Sequence, residues 1–474
     1  MIKIFLFTVL VFFCMNSVEA APPDDFIDSL YTEYSILGLA ACAFYGDSLV
    51  WDGYFGVKNL SYTDSLVNDN TLFVLWSVSK PFTAIAFMQL WEQGLVDLDA
   101  DVNDYLPYEI RNPNYPSTPI TPRMILSHTS SLRAVTTVFS GEMVAGDSTY
   151  SNTEYIQEVY VPGGIWYDVN QSFHNFEPGT QFVYNLHRSQ AVLAAIIEQV
   201  STFSDSFDLH CREYIFNPLS MDQTSYLITS VDTMNTAALY AYSGGSFISP
   251  YGCYASAPWY PGALLKSDPL ELSQPLIAVM QGGETGGIRI LQESTVDTML
   301  TAHYPSLDPF QGLGWVMRDD FFGRLIWGHY GSSSADFGNT SVFFCPAENS
   351  AVVFMTNYAH PDVRISVMDF LFDYVAEEMG IESNPTSVAT GLSIYPNPFA
   401  SSLSISFNLH DPGEVQLKVY DLSGRSVDAL SAGSYTAGEH SFVWDVDPLL
   451  PDGCYLIVLD GCGEYAVRRV ILIR

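Results

Sequence analysis

Leu75-Trp76-Ser77-Val78-Ser79-Lys80-Pro81-Phe82-Thr83 sets a hydroxyl and an amine three residues apart, where an apolar run begins. On a helix that spacing puts both side chains on one face, one turn apart. A serine is a weak nucleophile until a base takes its proton, and a neutral lysine can be that base. Arginine cannot serve, because it keeps its proton in proteins. The chain holds five lysines against thirteen arginines, and Lys80 alone has a serine three residues before it. The competing reading makes Ser77 a helix cap, a position serine favours. A capping box wants Glu or Gln three residues on, however, and a cation in the first turn opposes the helix dipole.

Outward from this stretch, Phe82, Ile85, Phe87, Met88, Leu90 and Trp91 make residues 82–93 apolar nearly all round. That pattern predicts a buried helix ended by Gly94, with Ser77 held at the end of a rigid central element. Upstream, Leu37 to Tyr45 and Leu49 to Phe55 flank Gly46-Asp47 and predict a hairpin.

Phe73 to Pro81, Gly94-Leu95-Val96-Asp97-Leu98-Asp99, Tyr105-Leu106-Pro107 and Ile120 to Ser130 (ITPRMILSHTS) together resemble the serine β-lactamase-related family. That family spans class C β-lactamases, D-alanyl-D-alanine carboxypeptidases, D-aminopeptidases and esterases. The resemblance continues through Glu177 to Tyr184 (EPGTQFVY), Ile215 to Met221, Gly312-Leu313-Gly314-Trp315 and His329-Tyr330-Gly331, and ends on the strand Ser341 to Asn357. It implies an α/β fold, an antiparallel sheet flanked by helices with a helical subdomain.

The resemblance also implies roles. Ser77 matches the acylated nucleophile, Lys80 its base, and Tyr184 the tyrosine of a Tyr-x-Asn motif that moves protons in acylation and deacylation. His329 matches the first position of a third, substrate-binding motif, with Gly331 where a substrate passes the strand edge. The backbone N–H groups of Ser77 and Ser332 would form the oxyanion hole. After Tyr184 the chain departs from the pattern, reading Asn185-Leu186-His187. Asn185 or His187 takes the asparagine's substrate-binding place, or neither does. Because that asparagine contacts an acyl-side amide, an ester is the substrate least affected.

Bulk properties bound the rest. A length of 474 residues predicts two or three units, and 48% apolar content supports a large core. The formal charge of −35 argues against nucleic acid or an anionic membrane surface as partner. No His-Glu-x-x-His, zinc-type cysteine set or nucleotide-binding glycine loop is present in the sequence, so neither metal nor cofactor is expected. Residues 1–20 read as a signal peptide: Lys3, an apolar run from Ile4 to Cys14, and Val18-Glu19-Ala20 before the cleavage point. Six cysteines then remain, of which only Cys454 and Cys462 suggest a local pair.

Residues 21–380 are expected to form the hydrolase domain and 381–391 a polar linker. In 392–474 the period becomes two (Leu403, Ile405, Phe407, Leu409; Val415, Leu417, Val419), which predicts a small antiparallel Ig-like sandwich. Tyr395-Pro396-Asn397-Pro398-Phe399, Val419 to Arg425, Trp444-Asp445 and the ending Arg468 to Arg474 resemble a type IX secretion sorting domain. That resemblance implies the type IX machinery as partner and a secreted or cell-surface location in a Gram-negative bacterium, with no membrane span. The expected function is acyl-enzyme hydrolysis of an ester or amide, esterase or D-amino-acid peptidase before true β-lactamase. The alternative is a surface-attached binding protein that has kept the fold and lost turnover.

Overall fold

The computed structural model describes residues 23–472, except 35, 63–64, 134–143, 186, 244–245, 250–254, 322–323, 333–336, 359, 382–391, 396–398, 410–411, 422–425, 452 and 462–463. The signal peptide, nearly all of the linker and the pairing of Cys454 with Cys462 therefore lie outside the described residues. Cys42, Cys211 and Cys345 are free and buried.

The longer elements of the first domain are α1 (Pro23–Glu33), β1 (Gly38–Tyr45), β2 (Ser48–Gly56), α2 (Ser79–Glu92), α3 (Asn152–Tyr160), α4 (Arg188–Val200), α5 (Pro269–Met280), β3 (Val316–Phe321), β4 (Arg324–Ser332), β5 (Asn339–Cys345), β6 (Ser350–Thr356) and α6 (Pro361–Glu378). The six strands form one antiparallel sheet in the order β3-β4-β5-β6-β1-β2, so the N-terminal hairpin closes against the domain's last strands. Successive residues of a strand face opposite sides of the sheet. Val342 and Phe344 accordingly join the core on the α2 side, and Phe343 and Cys345 the core under α1 and α6. Both faces are covered, which is why every residue of β5 and β6 is buried and 342–345 and 351–355 read as apolar without alternation.

That continuity also explains a correction. The run from Ser341 to Asn357 is two paired strands, with Cys345 opposite Ser350, turned at Asn349 with φ +50°. Asparagine tolerates that left-handed conformation, and an apolar run on both sides of a short turn hides the break.

Helix α2 is buried from Ser79 to Leu90. Gly94, at φ +71°, lies just past its end, as the sequence predicts. Its polar residues are bonded inside the core: Thr83 Oγ1 donates to the Pro261 carbonyl at 2.8 Å, and Gln89 Nε2 to the Tyr214 and Ile290 carbonyls at 3.0 Å. Across the domain, α4 supplies Glu198, whose carboxylate accepts from the backbone N–H groups of Asn152 and Thr153 at 3.2 and 3.0 Å. A buried acid on one helix thereby satisfies the unpaired amides that open another.

The second domain contains β7 (Ser393–Tyr395), β8 (Ser402–Leu409), β9 (Gly413–Asp421), β10 (Ser426–Tyr435), β11 (Gly438–Asp445), β12 (Gly453–Gly461) and β13 (Glu464–Leu472). They form two antiparallel sheets, β7-β8-β11 and β10-β9-β12-β13. Leu403, Ile405, Phe407 and Leu409 from one and Val415, Leu417 and Val419 from the other share a core, which is the predicted sandwich.

Candidate functional site

Ser77 is not a cap. It lies in a 3₁₀ turn, Trp76–Val78, directly ahead of α2, and α2 begins without a side-chain cap. Side chains three apart eclipse each other in a 3₁₀ turn. Lys80 Nζ accordingly donates to Ser77 Oγ at 2.7 Å, and a second bond runs to the Gly262 carbonyl at 3.1 Å. Lys80 is fully buried, and burial holds its amine well below the ordinary lysine value. No carboxylate among the described residues favours the charged form, so burial shifts the balance toward the neutral amine.

The turn is fixed on both sides. The Leu75 N–H donates to the Leu265 carbonyl at 2.9 Å, and the Leu265 N–H to Ser79 Oγ at 3.1 Å. Trp76 is held at φ +50°, a region an aromatic residue rarely enters, so the backbone just before Ser77 is strained.

Strand β4 runs past this turn. Its ladder with β3 ends at Gly328, four residues before the end of β4 at Ser332. The space beside Gly331 is filled by the chain's own backbone: a Cβ there would stand 2.1 Å from the Leu75 carbonyl oxygen and 3.2 Å from Trp76 Cβ. Glycine is required because two backbones meet, where the sequence suggested room for a substrate. Gly331→Ala should displace the Ser77 turn and cost about 1–3 kcal/mol, the usual scale of overpacking. A thermal melt and an activity assay read the two effects together. Ser332 lies exposed at the end of β4, one residue further along this edge.

Tyr184 completes the arrangement. Its hydroxyl bonds Ser77; the residue is 36% exposed, but the crowding around its hydroxyl raises its pKa and the Ser77 bond pulls it partly back, so it is a neutral phenol near pH 7. The Lys80 amine lies 5.1 Å from the centre of its ring. Two imidazoles flank the same ring, His128 at 4.5 Å and His329 at 6.2 Å between centroids. Burial lowers the pKa of His329 to about 3 and of His128 well below the usual histidine value.

The two candidates after Tyr184 lie in different places. Asn185 turns into the core: its Nδ2 donates to the Leu132 carbonyl at 2.8 Å and its Oδ1 accepts from the Ser189 N–H at 3.5 Å. His187 instead comes round to the lysine. Its backbone packs on Gly262, the second acceptor of Lys80, and its ring lies 4.2 Å from that of Trp259. Burial first, then the Arg188 charge, holds it neutral.

The structure thus brings Ser77, Lys80, Tyr184, His187 and His329 together and turns the Asn185 side chain away. Two participants were missed. His128 sits inside the Ile120–Ser130 stretch, and its φ of +59° marks it as a special position no linear pattern reveals. Gly262 contributes only a carbonyl, which leaves no trace in side-chain identity.

Residues 23–371 match the Beta-lactamase family, and this chain belongs to it. Its members are serine hydrolases and penicillin-binding proteins built on one fold. Residues 393–473 match the Secretion system C-terminal sorting domain. The chain is 24% identical to a beta-lactamase of Yersinia enterocolitica over 61% of its own length and 66% of that protein. It spans only 36% and 50% of two further curated relatives. In fold it is similar to the octameric penicillin-binding protein homologue from Pyrococcus abyssi (TM-score 0.60, 19% identity, 95% of this chain and 96% of that one). It is also similar to EstCE1, a hydrolase with promiscuous acyltransferase activity (TM-score 0.58, 21% identity, 74% and 97%).

Proposed function

We propose that the protein is an exported serine hydrolase that forms an acyl-enzyme on Ser77 and acts on esters in preference to β-lactams. The observation that carries the reading is the 2.7 Å contact between Ser77 Oγ and a fully buried Lys80 that has no counter-ion among the described residues. A neutral amine beside a hydroxyl is the arrangement that activates serine for attack. Tyr184, bonded to Ser77 and close to Lys80, relays the proton to the leaving group. The N–H groups of Ser77 and Ser332 stabilise the oxyanion, the first of them in an opening helical turn that provides it no acceptor.

Two features support an ester. The Asn185 carboxamide is committed to Leu132 and Ser189, so it offers nothing to an acyl-side amide. His329, where β-lactamases place a lysine, is neutral and provides no charge for a β-lactam's carboxylate. Short-chain p-nitrophenyl esters should therefore turn over with a kcat/KM at least about 100-fold above nitrocefin, the scale of losing one charge-assisted contact. Nitrocefin turnover equal to that of the esters would reverse the assignment. The sorting domain implies contact with the secretion machinery. We take its route to be the type IX pathway, across the outer membrane of a Gram-negative cell to its surface or beyond.

A further inference from the structure

His128 and His329 each have one ring nitrogen committed and one left over. The Asn185 N–H donates to His128 Nδ1 at 3.2 Å, so the neutral ring carries its proton on Nε2. His329 Nδ1 lies 2.6 Å from the Tyr330 carbonyl, which can only accept, so that ring carries its proton on Nδ1 and a lone pair on Nε2. These tautomers follow from the partners. Both Nε2 atoms are buried, and neither has a hydrogen-bond partner among the described residues. Both residues are 2% exposed, and both rings lie against Tyr184. Such atoms are costly unless something satisfies them.

The two nitrogens do not bond each other, and a single group that satisfied both would accept from one and donate to the other. A hydroxyl does this. We infer that His128 Nε2–H and His329 Nε2 form a water-binding pair beside Tyr184 that selects water over alcohols as the acceptor of the acyl group. The inference rests on the acyl-enzyme reading above. Water accepts from His128, donates one hydrogen to His329, and keeps its second for the Tyr184–Lys80 pair. Its oxygen bonds to the acyl carbon, the bond from that carbon to Ser77 Oγ breaks, and the proton passed through Tyr184–Lys80 ends on Ser77 Oγ. The products are a free carboxylic acid and regenerated serine. An alcohol has a single hydroxyl hydrogen, so it must give up either His329 or the base. Sites that bind a polar hydrogen discriminate strongly against analogues lacking it.

Partitioning tests this. The full-length protein is acylated with p-nitrophenyl acetate in methanol–water mixtures, and acetic acid and methyl acetate are both quantified beside the p-nitrophenol burst. In the wild type, methanolysis per mole of acceptor should fall below hydrolysis, although methanol is the better nucleophile in free solution. His329→Leu should keep the burst, slow hydrolytic deacylation roughly 10- to 100-fold, the value of a hydrogen bond or two, and raise the methanol-to-water ratio about tenfold. A wild type that favours methanol overturns the pair while leaving the acyl-enzyme intact. So does a folded His329→Leu variant with unchanged partitioning. Absence of a burst in the wild type overturns the acyl-enzyme reading and this one with it.

Discussion

Ser77→Ala should abolish covalent labelling by a fluorophosphonate probe and lower ester hydrolysis by about 10⁴-fold or more, the scale set by loss of a nucleophile that works as a unit with its base. Folding should be nearly unaffected. Ser77 is only partly buried, caps no helix, and has no part in tying down its own turn. Those ties are the Leu75 and Ser79 bonds to Leu265. A variant that melts with the wild type and still labels would move the nucleophile elsewhere. A wild type that fails to label across a wide pH range would favour the binding-protein alternative.

Lys80→Arg should cost about 10³-fold in kcat/KM by putting a permanent cation where the neutral amine acts, because the guanidinium does not deprotonate at any accessible pH. The wild-type rate should fall on the acid side as pH drops through the depressed pKa of Lys80. Stability should follow the same group. Its folded pKa lies below the unfolded value of about 10.4, so between the two the unfolded chain binds more protons and stability rises with pH. This contribution is fully present above the unfolded pKa and lost as pH falls through the folded one. Lys80→Met removes both the acid limb of the rate and this part of the stability profile. A retained acid limb in Lys80→Met would assign the titration to another group. Denaturant melts across the pH range, on wild type and variant, read the stability part.

Much of this site was legible in linear sequence because it depends on short spacings. Ser77 and Lys80 are three residues apart, and an opening helical turn makes that separation a contact. The alternation of Leu403, Ile405, Phe407 and Leu409 likewise exposes a half-buried strand, since the period of a strand is local. The double strand in Ser341–Asn357 was hidden for the opposite reason, both faces being covered.

Which residue after Tyr184 reaches the lysine could not be read from the order Asn185-Leu186-His187. It depends on where α4 starts and on the Gly262 backbone, 75 positions beyond His187 in the chain. That His128 and His329 both lie against Tyr184 depends on a left-handed backbone at one and on the course of β4 beyond its β3 ladder at the other. The sequence alone determined that a serine and a lysine meet, that an antiparallel sheet surrounds them, and that a small sandwich follows. Only the tertiary structure decided that the lysine has no counter-ion among the described residues, that Asn185 is spent inside the core, and that two buried imidazoles face Tyr184. Charge state, burial and hydrogen-bond direction belong to groups brought together from distant parts of the chain, and no local pattern encodes them.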